Sequence, residues 1–157
     1  MEINAVLEKY PPLRENILNL LHEIQSLNPL QYLSEEVLEQ VSEYMKITRA
    51  EILGVVEYYS MLSTTPRAPY LIRVCHSPIC RMLGGQDLLD LLRAKLSVDL
   101  NEPSPDGLFY IETTECLGNC HRAPSMMLND RLYSRVDSAM IDALIDRLRQ
   151  NIAGKEE

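Results

Sequence analysis

No apolar run in this chain approaches the ~18 residues that a membrane-spanning helix needs, and the best candidate, Ile52 to Leu62, is interrupted by Glu57. The opening Met1-Glu2-Ile3-Asn4 has neither a basic stretch nor an apolar core, and no arginine-rich, acid-poor leader stands there. A cytoplasmic chain without direct membrane insertion is therefore expected. Basic residues are scarce: 15 Lys and Arg against 23 Asp and Glu give a net charge of −8. Non-sequence-specific binding to nucleic acid needs a dense basic patch, so no nucleic-acid partner is expected. No glycine-rich dinucleotide fingerprint is present, so this chain is not expected to bind a nicotinamide dinucleotide itself. Only 4 cysteines occur in 157 residues, too few for a disulfide-built scaffold. Neither cysteine pair has the C-x-x-C spacing of a thiol–disulfide oxidoreductase. Internal repeats and low-complexity tracts are absent too.

What remains is a globular composition, 46% hydrophobic and 24% charged. The length suits one domain, or a small domain with an appendage. Charge is uneven. Residues 1–66 hold ten acids and four bases, while residues 67–157 hold thirteen acids, eleven bases and all four cysteines.

Residues 12–27 place Leu13, Ile17, Leu20, Leu21, Ile24 and Leu27 at helical spacing, and Pro29 ends the run. Ser34 reads as an N-cap, with Glu35 and Glu36 in the favourable first turn. Val37, Leu38, Val41, Tyr44 and Met45 form the apolar face of that second helix. Thr48 with Glu51 reads as a capping box opening a third helix to about Met61, with Ile52, Val55, Val56 and Tyr59 facing inward. A three-helix bundle follows for residues 1–66. Ser63 to Pro69 breaks the pattern and serves as a linker.

Beyond it the grammar changes. Tyr70–Cys75 reads as a strand, Gln86–Leu96 as a helix behind Gly84-Gly85, and Leu108–Thr114 as a second strand. Ser125–Leu128 and Arg131–Val136 flank Asn129-Asp130 as a hairpin, and Asp137 or Ser138 caps a last helix to about Ile152. The order β-α-β-β-β-α predicts a small sheet with helices on one or both faces, making the whole chain α+β with a second domain at 67–157.

The chemistry lies in two cysteine pairs. Cys75-His76-Ser77-Pro78-Ile79-Cys80 is C-x4-C, and Cys116-Leu117-Gly118-Asn119-Cys120 is C-x3-C. Each pair follows a predicted strand, so neighbouring strand ends would bring the loops together around one centre. Four thiolates suit soft metals, either zinc or an iron–sulfur cluster. The x4 and x3 loops leave room for a two-iron rhomb, whereas zinc more often takes tighter C-x2-C knuckles. Structural zinc and a redox disulfide stay open on spacing alone. Two ferric ions, two sulfides and four thiolates sum to a dianion, which calls for nearby donors and positive charge. Gly84-Gly85 would supply helix-start N–H groups, and Arg73, Arg81 and Arg122 lie within two residues of a cysteine. Gly118 would let the backbone turn tightly around sulfur. His76 and His121 are not expected to ligate, because four cysteines complete the shell. Met82, Met126 and Met127 read as packing residues.

Several segments together resemble a known family. They are Leu20-Leu21-His22-Glu23-Ile24-Gln25, Val56-Glu57-Tyr58-Tyr59-Ser60-Met61, the Cys75/Cys80 loop, Glu115-Cys116-Leu117-Gly118-Asn119-Cys120, Ala123-Pro124 and Leu128-Asn129-Asp130. Over about Leu13 to Leu148 the chain resembles the thioredoxin-like [2Fe–2S] subunit of the NADH-oxidising module of complex I. That family also supplies subunits to NAD-linked hydrogenases and formate dehydrogenases. The resemblance implies that Cys75, Cys80, Cys116 and Cys120 ligate one [2Fe–2S] cluster in a thioredoxin-like ferredoxin domain behind the helical bundle. It implies a partner subunit carrying FMN and binding NADH, alongside other iron–sulfur subunits. Electrons would pass singly between this chain and the partner's flavin, with catalysis belonging to the assembled oxidoreductase. A zinc-stapled interaction module is the alternative. Thioredoxin-like folds tend to keep a cis proline where Pro124 stands. One departure is Asn28-Pro29-Leu30-Gln31, which replaces a glycine-containing link between the first two helices.

Overall fold

Capping and apolar spacing set the helices of the first half. The structure is a computed structural model that describes residues 3–153. These divide into two units, parting between Pro69 and Tyr70. In the first, α1 (Ile3–Lys9) precedes a 3-10 turn (Arg14–Asn16), α2 (Ile17–Leu27), α3 (Glu35–Met45) and α4 (Arg49–Tyr58). Ser34 accepts the Val37 N–H, and Thr48 with Glu51 forms the reciprocal capping box. Leu20, Leu21, Leu38, Val41 and Ile52 are fully enclosed in one core with Val6 and Leu7 of α1. Each such side chain contributes about 1.5–3 kcal/mol of burial.

Several expectations shift here. The three helices read from the sequence are joined by α1, which Lys9 and Tyr10 fasten through their bonds to Glu23 at 2.7 and 2.6 Å. The first predicted helix begins at Ile17, and Leu13 is half exposed before the 3-10 turn. At the other end α4 stops at Tyr58, because Tyr59 turns to extended backbone (φ −95°, ψ 106°). Tyr59 is therefore exposed against Tyr58, and does not face inward. The link after α2 does without glycine: Gln31 itself takes φ +50°, and Asn28 accepts the Leu30 N–H in an Asx turn. Arg67 carries the first unit past residue 66, because its guanidinium donates to the carbonyls of Ser60 and Met61 and its N–H to that of Leu30.

The second unit runs β1 (Tyr70–Cys75), a single turn α5 (Pro78–Cys80), α6 (Gln86–Leu96), β2 (Phe109–Thr114), β3 (Ser125–Leu128), β4 (Arg131–Ser134) and α7 (Ser138–Ala153). The sheet order is β2-β1-β3-β4, with β1 parallel to β2 and antiparallel to β3. Register puts Ile72, Val74, Phe109, Ile111, Met126 and Leu128 on one face, where Leu88, Leu89 and Leu92 of α6 and Ile141, Leu144 and Ile145 of α7 join them in a single core. The alternation sends Leu71, Arg73 and Cys75 to the other face. There Arg73 pairs with Glu112 at 2.7 Å, the side chains only 13% and 14% exposed. At the hairpin Asn129 takes φ +50°, and its carboxamide oxygen accepts the Leu71 N–H at 2.8 Å. β4 ends at Ser134, two residues early, because Arg135 also takes φ +50°.

Candidate metal centre

Cys75 is the last residue of β1, and its side chain is buried together with those of Ser77 and Cys80. Ser77 opens α5 and Cys80 closes it. The helical path then breaks, with Leu83 (φ −103°, ψ 29°) and Gly84 (φ 94°, ψ 11°) outside helical space, before α6 resumes. Gly84-Gly85 is therefore a kink within a helical run. It is not the free helix start, rich in N–H donors, that the sequence suggested. Gly85 serves close approach instead: a Cβ there would stand 2.7 Å from the Cys80 carbonyl oxygen and 3.3 Å from that of Cys75.

The Cys75 thiol lies 3.5 Å from the Ser77 hydroxyl. Burial alone pushes this thiol up. Donation from the Ser77 hydroxyl, from the N–H groups of Ser77 and Leu117 and from the Cys80 thiol overrides burial and holds Cys75 below its ordinary range. Cys80 is pushed up, first by burial and then by its bond to Cys75, against an N–H donated by Ser125. These partners join distant parts of the chain, since Leu117 belongs to the second cysteine loop and Ser125 to β3.

That second loop follows β2. Gly118 takes φ +71° and donates its N–H to the Cys116 sulfur at 3.4 Å. The Cys116 and Cys120 sulfurs are 3.4 Å apart. Cys120 is pushed up by its bond to Cys116, then by burial and by the nearby charge of Cys75. The structure thus sets Cys116 against Cys120 and Cys80 beside Cys75, with the second loop reaching Cys75 through Leu117, and every thiol is unbridged.

Among the described residues, no three His, Cys, Asp or Glu side chains are placed to hold one metal ion. Four thiols in two pairs fit the donor set of a [2Fe–2S] cluster. A tetrathiolate zinc needs all four sulfurs on one ion, whereas a [2Fe–2S] cluster takes two thiolates per iron and bridges the irons with inorganic sulfide. The Gly118 N–H donates to the Cys116 sulfur, and the N–H groups of Ser77, Leu117 and Ser125 favour the charged forms of Cys75 and Cys80, as a polyanionic group requires.

The neighbours sort clearly. His76 and His121 are exposed and outside the thiol group. Arg81 and Arg122 are exposed, and Arg73 is committed to Glu112. Met126 is a core residue and Met127 is half-buried, but Met82 does not pack as expected and is 82% exposed, beside exposed Ile79 and Leu83. The Ala123-Pro124 peptide is cis. Sequence reasoning missed Asn119, which is buried between the two cysteines of the second loop and donates to Ser125 and Ser134. A polar residue enclosed by C-x3-C gives no periodic signal, and only the fold supplies its partners.

Comparisons with known proteins give the chain a family and a set of relatives. The chain matches the family model described as thioredoxin-like [2Fe-2S] ferredoxin over residues 3–149. It is 35% identical over 150 residues to NADH-quinone oxidoreductase subunit 2 of Thermus thermophilus, covering 94% of this chain and 80% of that one. It is 28% identical over 144 residues to the NADP-reducing hydrogenase subunit HndA of Solidesulfovibrio fructosivorans, covering 92% and 83%. Its fold matches the crystal structure of an air-oxidized NAD+-reducing [NiFe]-hydrogenase with a TM-score of 0.75 at 26% identity, over 87% of this chain and 23% of that chain.

Proposed function

The chain belongs to the thioredoxin-like [2Fe–2S] ferredoxin family, and from that premise we propose that it is the electron-transfer subunit of an NAD-linked oxidoreductase complex. Cys75 and Cys80 would hold one iron of a [2Fe–2S] cluster, and Cys116 and Cys120 the other. The observation that carries this reading is the pairing of the four thiols, with Leu117 of one loop donating to Cys75 of the other. When bound, the cluster supplies reversible one-electron chemistry between a ferric pair and a mixed-valence pair.

The residues around the thiols do the rest. N–H groups of Ser77, Leu117, Gly118 and Ser125 stabilise negative charge on sulfur. Arg81 and Arg122, exposed beside the two loops, add positive potential at the rim. Burial of Cys75 and Cys80 keeps water from one side, while exposed Cys116 leaves the other side open to a redox partner. On either side of Cys80 in the chain, Ile79, Met82 and Leu83 present apolar side chains suited to a protein face.

The chain is not catalytic alone. Its partner is a subunit that binds FMN and NAD(H), with which it exchanges single electrons, within an assembly that holds other iron–sulfur subunits. The relatives named as NADH-quinone oxidoreductase and NADP-reducing hydrogenase subunits support that class of assembly. The two domains divide the labour: the helical unit, which contains no cysteine, docks, and the thioredoxin-like unit carries the cluster in the cytoplasm. No helix among the described residues is long and apolar enough to cross a membrane. Anaerobic purification tests the reading. The protein should be coloured, carry two irons and two acid-labile sulfides per chain, and give a paramagnetic signal after one-electron reduction. Colourless protein with one tightly held zinc would favour a zinc-stapled module instead.

A further inference from the structure

The second cysteine loop is poorly anchored by its own side chains. From Glu115 to Pro124 every residue is exposed or half-buried except Asn119. The Asn119 carboxamide nitrogen donates to the Ser134 hydroxyl at 2.7 Å and to the Ser125 hydroxyl at 3.1 Å. Ser125 and Ser134 are register partners on β3 and β4, so one amide clips the loop across two strands at once. The Asn119 carbonyl accepts the Arg122 N–H at 3.0 Å, closing the turn that contains Cys120. Ser125 reaches onward, because β3 pairs with β1 and Ser125 stands one position past the Val74–Met126 pair, at the level of Cys75. A run of contacts therefore leads from the loop holding Cys116 and Cys120, through Asn119 and Ser125, to the first cysteine pair.

We propose that Asn119 is the positioning residue of this centre, an amide peg that fixes the second cysteine pair relative to the first. The chemistry of the side chain is restrictive. The Ser125 hydroxyl gives its own proton to the Arg122 carbonyl, so toward residue 119 it can only accept, and the Asn119 nitrogen with its two hydrogens serves it and Ser134 together. Alanine removes this donor from both hydroxyls, and aspartate sets an acceptor against Ser125 and a negative charge beside the thiolates. Outer partners that orient metal ligands change affinity by about 10–100-fold when removed. The proposal rests on the [2Fe–2S] reading, and the test separates the two.

The full chain is purified anaerobically as wild type, Asn119→Ala, Asn119→Asp, Ser134→Ala, Ser134→Thr and Asn119→Ala/Ser134→Ala. Iron release to a chelator and the visible circular dichroism of the bound cluster are recorded for each. Asn119→Ala and Asn119→Asp should release iron about 10–100-fold faster, with an altered dichroic spectrum. Ser134→Ala should be faster as well, the double variant no faster than Asn119→Ala, and Ser134→Thr close to wild type, because threonine keeps the hydroxyl. Half-buried Ser134 gives a reading of the same bond should Asn119→Ala fail to fold. Release and spectra within twofold of wild type in both Asn119→Ala and Ser134→Ala would overturn the proposal, as would a double effect equal to the product of the single ones. Wild-type protein holding one zinc and no sulfide would instead end the cluster reading. Metal release from the same variants would then judge Asn119 on its own.

Discussion

Replacing Gly85 with alanine would put a methyl carbon 2.7 Å from the Cys80 carbonyl oxygen and 3.3 Å from that of Cys75. The first distance is about 0.6 Å inside an ordinary carbon–oxygen contact of about 3.3 Å. Backbone is on both sides, so no flexible side chain can swing away, and the start of α6 or the Cys75–Cys80 loop must shift. Overpacking of this kind costs about 1–3 kcal/mol. Gly85 already has helical dihedrals (φ −64°, ψ −31°), so alanine recovers up to about 1 kcal/mol of helix propensity. The net loss is about 1–2 kcal/mol, or a fall of roughly 5–15 °C in Tm for a unit of this size. A shift of about 0.6 Å also exceeds the ~0.5 Å tolerance of a preorganised site, so iron content should drop with stability. Gly84→Ala is the control: nothing lies within 4 Å of its Cβ, but φ is +94°, and the left-handed conformation costs about 1–2 kcal/mol. Gly84→Ala should lose comparable stability and keep its iron. Thermal unfolding and iron analysis of both variants read the contrast. A Gly85→Ala protein with wild-type Tm and full iron would refute the claim that close backbone approach shapes the first cysteine loop.

Three further outcomes are expected. Arg122→Glu reverses a positive charge at the rim and should lower the reduction potential by tens of millivolts in a redox titration, whereas an unchanged potential removes Arg122 from the electrostatics. Glu112→Ala removes a charged hydrogen bond from a largely enclosed pair and should cost about 1.5–3 kcal/mol in chemical denaturation, while an Arg73→Met/Glu112→Leu double variant should recover much of the loss. A double variant as unstable as the single one would count against that account. Glu23 is held below its ordinary range by donation from Lys9 and then from Tyr10. Its stabilisation is therefore full above the usual carboxylate pKa of about 4.3 and is lost as pH falls through the lowered folded value. The Tm gap between wild type and Glu23→Gln should narrow as pH drops from about 5 to 3, and a widening gap would reverse the assigned sign.

Features that act locally were legible before any coordinates. Ser34 and the Thr48–Glu51 box announce helix starts because capping needs only residues three positions apart. The strands flanking Asn129-Asp130, and the placing of each cysteine pair at a strand end, follow from alternation and turn chemistry in the same way. What escaped depends on partners distant in sequence. α1 is seven residues long, buries only Val6 and Leu7 and is cut short by Pro11-Pro12, so its helicity comes from packing on α2 and from the Glu23 bonds. Buried Gln25 looks like an ordinary polar helix residue until the chain after α4 returns, with the Met61 carbonyl and the Ser63 N–H to satisfy it. Gly85 and Asn119 belong to the same class. One needs a carbonyl five residues back to explain it, and the other needs two hydroxyls on separate strands.

Whether two cysteine loops jointly grip a binuclear iron–sulfide unit is read out by X-ray absorption at the iron edge of anaerobically purified protein. Each iron should show a shell of sulfur alone and one neighbouring iron just beyond it. A sample without iron, whose zinc edge shows four sulfurs and no second metal, would contradict the account.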